Sequence, residues 1–181
     1  MLSFSKVDLF FLGRRRRTAQ SSNQGNTPYA SSAEFCRIFM KNMDSLYLLS
    51  FLLVGEHLLA ERCFVCSLED SQRGSPVFRD RALFWARRTI IRRAIQMIKP
   101  RPTDNRFSDR IVIHAMDQPA GMADTLELPE FERFVFVMSV LERHSFQESA
   151  LLLGCTCGDV IAARTRALER IATKVGCPAQ T

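Results

Sequence analysis

Six cysteines give this sequence its most versatile side-chain chemistry, because thiolates bind metals and exchange disulfides. They are Cys36, Cys63, Cys66, Cys155, Cys157 and Cys177. The spacing Cys63-x-x-Cys66 is typical of a metal site, but it falls in an apolar, helical stretch far from Cys155-x-Cys157. Structural zinc sites usually take paired cysteines from tight loops. We therefore predict free thiols, with no bound metal and no structural disulfide.

The three histidines and the hydroxyl residues form no recognisable catalytic motif. His57, His114 and His144 lie in separate stretches, and no H-E-x-x-H spacing occurs. No serine, cysteine or lysine belongs to a nucleophile motif, and no glycine-rich phosphate-binding loop is present. We therefore predict a protein that is not an enzyme and that needs no cofactor.

Arginine is strongly preferred over lysine. All but four of the 25 basic residues are arginine, and the formal net charge is +6. The guanidinium group binds phosphates and carboxylates through paired hydrogen bonds, so this bias indicates an anionic partner, with a GC-rich genome as the alternative explanation. No apolar run approaches the ~20 residues of a membrane helix, which excludes an integral membrane protein. We expect a cytoplasmic protein.

Residues 1–32 are predicted to form a disordered tail. A short apolar patch is followed by the run Arg14 to Arg17 and then by a polar stretch. The positive charges follow the apolar patch, whereas in a secretory signal they would precede it. The arginine run suits contact with an anionic surface. A start codon at Met40 or Met43 is the alternative explanation of this segment.

Residues 33–98 are predicted to form a first helical domain. In its first half, apolar residues recur at intervals of three, four and seven. They are Phe35, Ile38, Phe39, Leu46, Leu49, Leu53 and Leu58. Gly55 is expected to end one helix, and a second helix is expected from Glu56 through Cys63.

A long arginine-bearing helix closes this domain. After a loop at Ser71 to Pro76, the pattern predicts a helix from Arg79 to Ile98 with an apolar stripe. The stripe contains Leu83, Ala86, Ile90, Ala94 and Met97 or Ile98. Residues 99–123 are rich in proline and are too long for a connection inside one compact domain, so we predict a flexible linker there.

Residues 124–181 are predicted to form a second helical domain, which begins with an apolar helix from Phe131 to Leu141. The pair Ser145 and Glu148 has the spacing of a capping box at the start of a short helix, Phe146 to Leu153. Gly154 suits a left-handed helix end.

A turn at residues 155–158 leads to a final helix, which Asp159 is placed to cap and which runs to about Lys174. Two short helices joined by a tight turn predict a helix-turn-helix. No stretch shows the alternation of a strand. The predicted fold is therefore all-α, with two small helical domains, a flexible linker and a C-terminal helix-turn-helix.

The final helix divides into two predicted faces. The residues expected to face the core are Val160, Ala163 or Ala167, Leu168 and Ile171. Those expected to point outward are Arg164, Thr165, Arg166, Arg170 and Lys174. From Val160 onward, four basic residues accompany the single acid Glu169. Local positive charge of this kind suits a helix that meets phosphates and base edges in the major groove of DNA.

The stretch from Leu128 to Ile171 resembles region 4, the promoter-binding domain, of bacterial RNA polymerase sigma factors of the extracytoplasmic-function group. The matching positions are Leu128, Pro129, Arg133, Val135, Phe136, Glu142, Ser145, Glu148, Ala150, Leu153, Gly154, Val160, Arg166, Ala167 and Ile171. Residues from Asp44 to Ala94 are similar in layout to region 2 of the same family. There LYLLSFLLVGEHLLAER matches the paired helices and ALFWARRTIIRRA the long arginine-bearing helix.

The resemblance implies promoter DNA and core RNA polymerase as partners, with an anti-sigma factor as a further candidate. In the family, region 2 docks on the polymerase clamp and captures the melted −10 element, while region 4 reads the −35 element. Side chains of the type that would stack on and bind melted bases are Phe84, Trp85, Arg87, Arg88, Arg92 and Arg93. The positions expected nearest the −35 element are Thr156, Gly158, Asp159, Ile161, Ala162, Arg164, Thr165 and Arg166, with Arg170 further along the helix.

The sequence departs from the family pattern in three places that bear on function. In the long arginine-bearing helix, Arg88 and Arg92 replace the usual asparagine and aspartate. Acidic and amide residues that hold the clamp usually follow the pair at 60–61, where this chain has Arg62, Val65 and Cys66. In the final helix, Ile161 and Ala163 occupy positions that are usually basic.

We therefore predict a sigma factor-like transcription initiation protein that binds promoter DNA and recruits RNA polymerase. The alternative is a helix-turn-helix DNA-binding regulator that no longer engages the polymerase core. A third class is a protein-interaction module that uses the apolar helices of residues 33–68.

Overall fold

The computed structural model describes residues 28–102 and 120–175, and the fold is all-α, as predicted. The helices are α1 (Ser32–Lys41), α2 (Met43–Val54), α3 (His57–Arg73), α4 (Ala82–Ile98), α5 (Ala120–Leu126), α6 (Glu130–Phe136), α7 (Phe146–Leu153) and α8 (Cys157–Val175). A 3₁₀ turn at Arg79–Arg81 precedes α4, and a π-helical turn at Val137–Leu141 follows α6. In the described ranges, the β structure is limited to an isolated bridge between Tyr29 and Phe78.

The N-terminal segment is ordered earlier than predicted. We expected a tail through residue 32, but the backbone N–H of Ala30 donates to the carbonyl of Val77 at 2.7 Å. The capping box of Ser31 and Glu34 then starts α1, because each side chain binds the other residue's backbone N–H. The tail prediction is therefore wrong for residues 28–32, and the rest of that segment lies outside the described residues.

Local sequence signals explain most of the helix ends in the first half. α2 ends at Gly55, as predicted, in a left-handed conformation with φ of 77°. The sequence pattern did not reveal the break between α1 and α2 at Asn42, whose side-chain amide donates to the carbonyl of Ile38 at 2.8 Å. α3 runs through Cys63, as predicted, and extends to Arg73, so the predicted loop at 71–76 starts later than expected.

Small residues bring α3 and α4 into close contact. Ala60, Cys63 and Ser67 are fully buried along one face of α3, and the Ser67 hydroxyl donates to the carbonyl of Cys63. On α4, the buried stripe begins at Ala82 and continues through Ala86, Ile90 and Ala94. Three leucines that we predicted to face the core do not do so. Leu58, Leu83 and Leu168 are exposed, because their positions fall on the solvent side of their helices.

α6 is the central helix of the fold. Every residue from Phe131 to Met138 is buried, including the charged pair Glu132 and Arg133. Phe134 and Met138 belong to the same hydrophobic cluster as Leu53 and Ile90 from the first half. Helices from both predicted domains therefore pack in one core, and the division into two domains stays a prediction.

The predicted linker is only partly described. α5 begins at Ala120, inside the range 99–123 that we expected to be a linker. Residues 103–119, which contain His114, lie outside the described residues, as do the end of the chain and Cys177. Within the described part of the chain, no helix is long and apolar enough to cross a membrane.

A buried arginine joins the two halves. The Arg133 guanidinium has no exposed surface, and its Nε and Nη2 donate to the carbonyl of Leu53 at 3.4 and 3.3 Å. Its Nη1 donates to the carbonyl of Leu126 at 3.2 Å. Gly55 lies against this group, since a Cβ atom there would come within 3.3 Å of Nη2. Burial lowers the pKa of Arg133 to about 10.

Replacing Arg133 should therefore destabilise the whole fold. We expect Arg133→Ala to lower the free energy of unfolding by about 3 kcal/mol, because it empties a packed site and leaves two buried carbonyls without donors. Urea denaturation measures the change. The control is Arg62→Ala on the exposed face of α3, for which we expect a change within about 0.5 kcal/mol. Equal effects of the two substitutions would contradict this role for Arg133.

Candidate nucleic-acid interface

The first candidate surface lies at the start of α4. Phe84 is 54% exposed and Trp85 is half-buried beside it. The Arg92 guanidinium carbon lies 6.0 Å from the centre of the Trp85 ring, within the range of a cation–π contact. An exposed aromatic ring beside an arginine is the arrangement on which an unpaired base can stack.

Two residues that the sequence analysis missed complete this surface. Phe78 is 52% exposed, and Arg81 is also exposed. Together with the predicted residues they line an open cavity of about 410 Å³, which we call the α4 aromatic cavity. Its lining residues are Pro76, Val77, Phe78, Arg81, Phe84, Trp85, Arg88 and Arg92. The sequence signal for this site was the placement of Arg79 and Arg81 between the aromatic residues Phe78 and Phe84.

Tyr29 extends the aromatic surface from outside α4. Its ring lies 5.0 Å from that of Phe78, and the two residues form the isolated bridge. Tyr29 is 42% exposed. Because it falls in the segment that we predicted to be a tail, sequence reasoning gave no reason to place it here.

Three of the four predicted α4 arginines are held by carboxylates. Arg93 Nε donates to Asp70 Oδ2 on α3 at 3.0 Å, and this hydrogen bond raises the pKa of Arg93. The other two pairs connect α4 to the second half of the chain. They are Arg87 with Glu142, whose Nε and Oε2 are 3.1 Å apart, and Arg88 with Glu148.

An aromatic contact accompanies the pair of Arg88 and Glu148. The Phe84 ring is stacked with that of His144 at a centroid distance of 6.5 Å. His144 is buried, and its Nδ1 lies 3.2 Å from Glu148 Oε2. The side chains of α4 that we predicted for melted DNA therefore also form part of the contact between the two halves.

The second candidate surface is formed by α7, a three-residue turn and α8. The Ser145 hydroxyl accepts a hydrogen bond from the backbone N–H of Glu148 at 3.1 Å, which starts α7 as predicted. The Glu148 carboxylate is paired with Arg88 and does not accept a hydrogen bond from the backbone N–H of Ser145. Only half of the predicted capping box therefore forms. Gly154 ends α7 with φ of 66°, as predicted.

The start of α8 differs from the prediction. We expected Asp159 to cap a helix that begins after it, but α8 begins at Cys157 and Thr156 precedes it. The backbone N–H of Asp159 donates to Thr156 Oγ1 at 3.1 Å, and the Thr156 N–H donates to Asp159 Oδ2 at 2.9 Å. The Thr156 hydroxyl also donates to Asp159 Oδ2 at 2.7 Å, and this hydrogen bond, together with that from the Thr156 N–H, lowers the pKa of Asp159. Thr156 and Asp159, both predicted to bind DNA, therefore stabilise the start of the helix.

The cations of α8 are also held within the protein. The buried Glu132 carboxylate accepts a hydrogen bond from Arg166 Nε at 2.7 Å and is paired with Arg170, whose Nε lies 3.0 Å from it. Lys174 is paired with Glu127. The Arg164 guanidinium carbon lies 5.3 Å from the centre of the Phe146 ring on α7. Arg166, Arg170 and Lys174 remain partly exposed, with between 41% and 46% of their side chains accessible.

The solvent-facing part of α8 near its start carries short and apolar side chains. Ile161 is 48% exposed, and Gly158, Ala162 and Thr165 are also exposed. On the opposite side, Val160, Ala163 and Ala167 are fully buried, as predicted. The structure therefore brings together four of the predicted groove positions on one accessible surface, which we call the α8 outer face (Gly158, Ile161, Ala162 and Thr165).

The cysteines of the described ranges form no metal site. Cys36, Cys63, Cys66, Cys155 and Cys157 are free thiols. Burial raises the pKa of Cys63 to about 11, so this thiol is protonated near neutral pH. Among residues 28–102 and 120–175, no group of three metal-ligating side chains lies close enough to hold an ion.

Comparison with known proteins gives no assignment. The chain matches no protein-family model, and no curated protein matches it significantly. The relationship to sigma factors therefore stays a prediction from the residues quoted above.

The pair of Thr156 and Asp159 predicts a measurable pH effect. Because the folded pKa of Asp159 is lowered, its stabilising contribution is present above the ordinary pKa and is lost as pH falls through the lowered value. We expect Thr156→Ala to raise the Asp159 pKa toward its ordinary value, as read from a carboxyl NMR titration. Thr156→Ser retains the hydroxyl and should leave the pKa low. An unchanged pKa in Thr156→Ala would show that this hydrogen bond is not its cause.

Proposed function

We propose that this chain is a sigma factor-like transcription initiation protein, which binds promoter DNA and recruits bacterial RNA polymerase. The observation that carries the proposal is the α4 aromatic cavity. It combines exposed aromatic rings with Arg81 and Arg92, and such groups hold single-stranded DNA by stacking and by contact with phosphates. A protein that opens a promoter needs such a surface, whereas a protein that reads only duplex DNA does not.

The α7–α8 pair supports the duplex-reading part of the proposal. The left-handed Gly154 and the capping hydrogen bonds of Thr156 and Asp159 define a tight turn between the helices. α8 packs on α6 and α7 through Val160 and Ala163 and leaves its outer face accessible. This is the division that a helix-turn-helix requires, because one side of its second helix must enter the major groove.

A second candidate function has a specific observation in its favour. Arg87 and Arg88 on α4 are bound to Glu142 and Glu148, so these two guanidinium groups are not free for DNA in this arrangement. Arg62, Val65 and Cys66 also stand where the family has residues that hold the polymerase clamp. Both features favour a helix-turn-helix regulator that binds duplex DNA without engaging core polymerase.

Trp85 is the only tryptophan of the chain and reports directly on the α4 aromatic cavity. We expect a single-stranded oligothymidylate to quench its fluorescence, because a base that stacks in the cavity contacts the indole. Phe84→Ala should weaken this binding by about tenfold, since stacking on one aromatic side chain contributes about 1–3 kcal/mol per base. The control is Leu58→Ala, which removes a more exposed apolar side chain from α3. Absence of quenching, or equal affinity in both variants, would contradict the proposed role of α4.

Core polymerase binding separates the two candidate functions. We expect the purified full-length chain to bind bacterial core RNA polymerase with submicromolar affinity, measured by fluorescence anisotropy of labelled protein. Binding to duplex DNA without binding to core polymerase would favour the regulator. Binding to neither would favour the protein-interaction module.

A further inference from the structure

The α8 outer face offers almost no polar group to the edge of a base. The Thr165 hydroxyl donates to the carbonyl of Ile161 at 3.1 Å, one turn earlier on the same helix. Its hydrogen atom is therefore already used inside the helix, while its methyl group adds to the apolar surface. Ile161 and Ala162 have no polar side-chain atom at all. Thr156 and Asp159, at the start of the helix, bind each other.

The arginines of α8 lie beside this face or on the opposite side of the helix, and not on the face itself. Glu132 pairs with Arg166 and Arg170 on the side of α8 that packs against α6. Arg164 lies over the Phe146 ring. The bidentate contacts of arginine with guanine, or of asparagine and glutamine with adenine, are thus not available from the first two turns of α8.

One apolar group is displayed in the major groove, and it is the C5-methyl group of a pyrimidine. Alanine and the threonine methyl are among the side-chain groups that contact it. We infer that Ile161, Ala162 and Thr165 determine specificity by contacting pyrimidine C5-methyl groups in duplex DNA. This inference rests on the proposed function, because it requires α8 to enter the major groove.

The surroundings of the α8 outer face favour DNA over an apolar protein partner. A cavity of about 470 Å³ lies between the starts of α7 and α8, and it is lined by Ser139, His144, Ser145, Phe146, Gln147, Cys157, Ile161 and Arg164. Ile161 therefore shares this cavity with hydroxyl, amide and guanidinium groups, which are the side chains that contact phosphates. Such a polar border beside a short apolar surface fits a groove whose walls are phosphates.

The C5-methyl group has two sources, thymine and 5-methylcytosine, and synthetic duplexes distinguish them. The probe is a duplex recovered by the full-length chain from a random-sequence pool. It is then resynthesised with deoxyuridine in place of thymine, which removes only the methyl group, or with 5-methylcytosine in place of cytosine. We expect each lost methyl contact to weaken binding by about fourfold, the equivalent of burying one methyl group.

Matched variants connect the effect to α8. Thr165→Ser removes the side-chain methyl and keeps the hydroxyl, and it should weaken binding to the thymine duplex while reducing the penalty for deoxyuridine. Thr165→Val keeps a methyl and removes the hydroxyl, and it should bind like the native chain. Ile161→Ala should behave like Thr165→Ser.

Arg164→Ala is expected to weaken binding to the thymine and deoxyuridine duplexes equally, because a phosphate contact does not depend on the methyl group. These positions are at least partly exposed, so the fold should persist, which circular dichroism can check.

The outcomes separate this inference from the proposed function. Loss of affinity with deoxyuridine identifies thymine as the source of the methyl group, and a gain with 5-methylcytosine identifies methylated DNA. Either result supports recognition of the methyl group by α8 when the change in affinity is smaller in Thr165→Ser than in the native chain. Equal binding to the thymine, deoxyuridine and 5-methylcytosine duplexes would overturn it while leaving DNA binding intact. Failure to recover any duplex would instead contradict the proposed function of α8, and this inference with it.

Discussion

The structure depends on one buried guanidinium group. Arg133 donates hydrogen bonds to the carbonyls of Leu53 and Leu126, which lie at the C-terminal ends of α2 and α5. These helix ends carry partial negative charge, so they stabilise a cation for which burial alone would be unfavourable. The left-handed Gly55 both ends α2 and leaves room for this group. The contact fixes α6 against α2, and α7 and α8 pack against α6 in a second hydrophobic cluster.

Carboxylates next to this central helix then determine which arginines stay available. Glu132 holds Arg166 and Arg170, while Glu142 and Glu148 hold α4 arginines. The result is an exposed surface that is less basic than the sequence suggests. On α4 it consists mainly of aromatic rings beside arginine, and on α8 of short apolar side chains. The two candidate surfaces therefore differ in chemistry, as expected if one contacts melted and the other contacts duplex DNA.

Sequence reasoning succeeded where the physical cause is local. The left-handed glycines Gly55 and Gly154 and the cap Ser145 were predicted correctly, because each depends on residues within one helical turn. Thr156 and Asp159 are both suitable capping residues and stand three positions apart. We predicted Asp159 as the cap, whereas the helix begins directly after Thr156. The pairing of the arginines was not predictable. The carboxylate partners of the α4 and α8 arginines lie between 34 and 60 residues away along the chain, except for Asp70, so only the tertiary fold brings them together.

The hydrogen bond between Arg133 and Leu53 also constrains the order in which the chain folds. Its two residues are 80 positions apart, and such distant contacts form late because a long loop must close first. During synthesis the N-terminal helices leave the ribosome before α6 exists. Until then the carbonyl of Leu53 at the end of α2 lacks the Arg133 donor. The hydrophobic cluster of the first half also lacks Phe134 and Met138. The core of the first half is thus completed only after α6, which contains Arg133, has been synthesised.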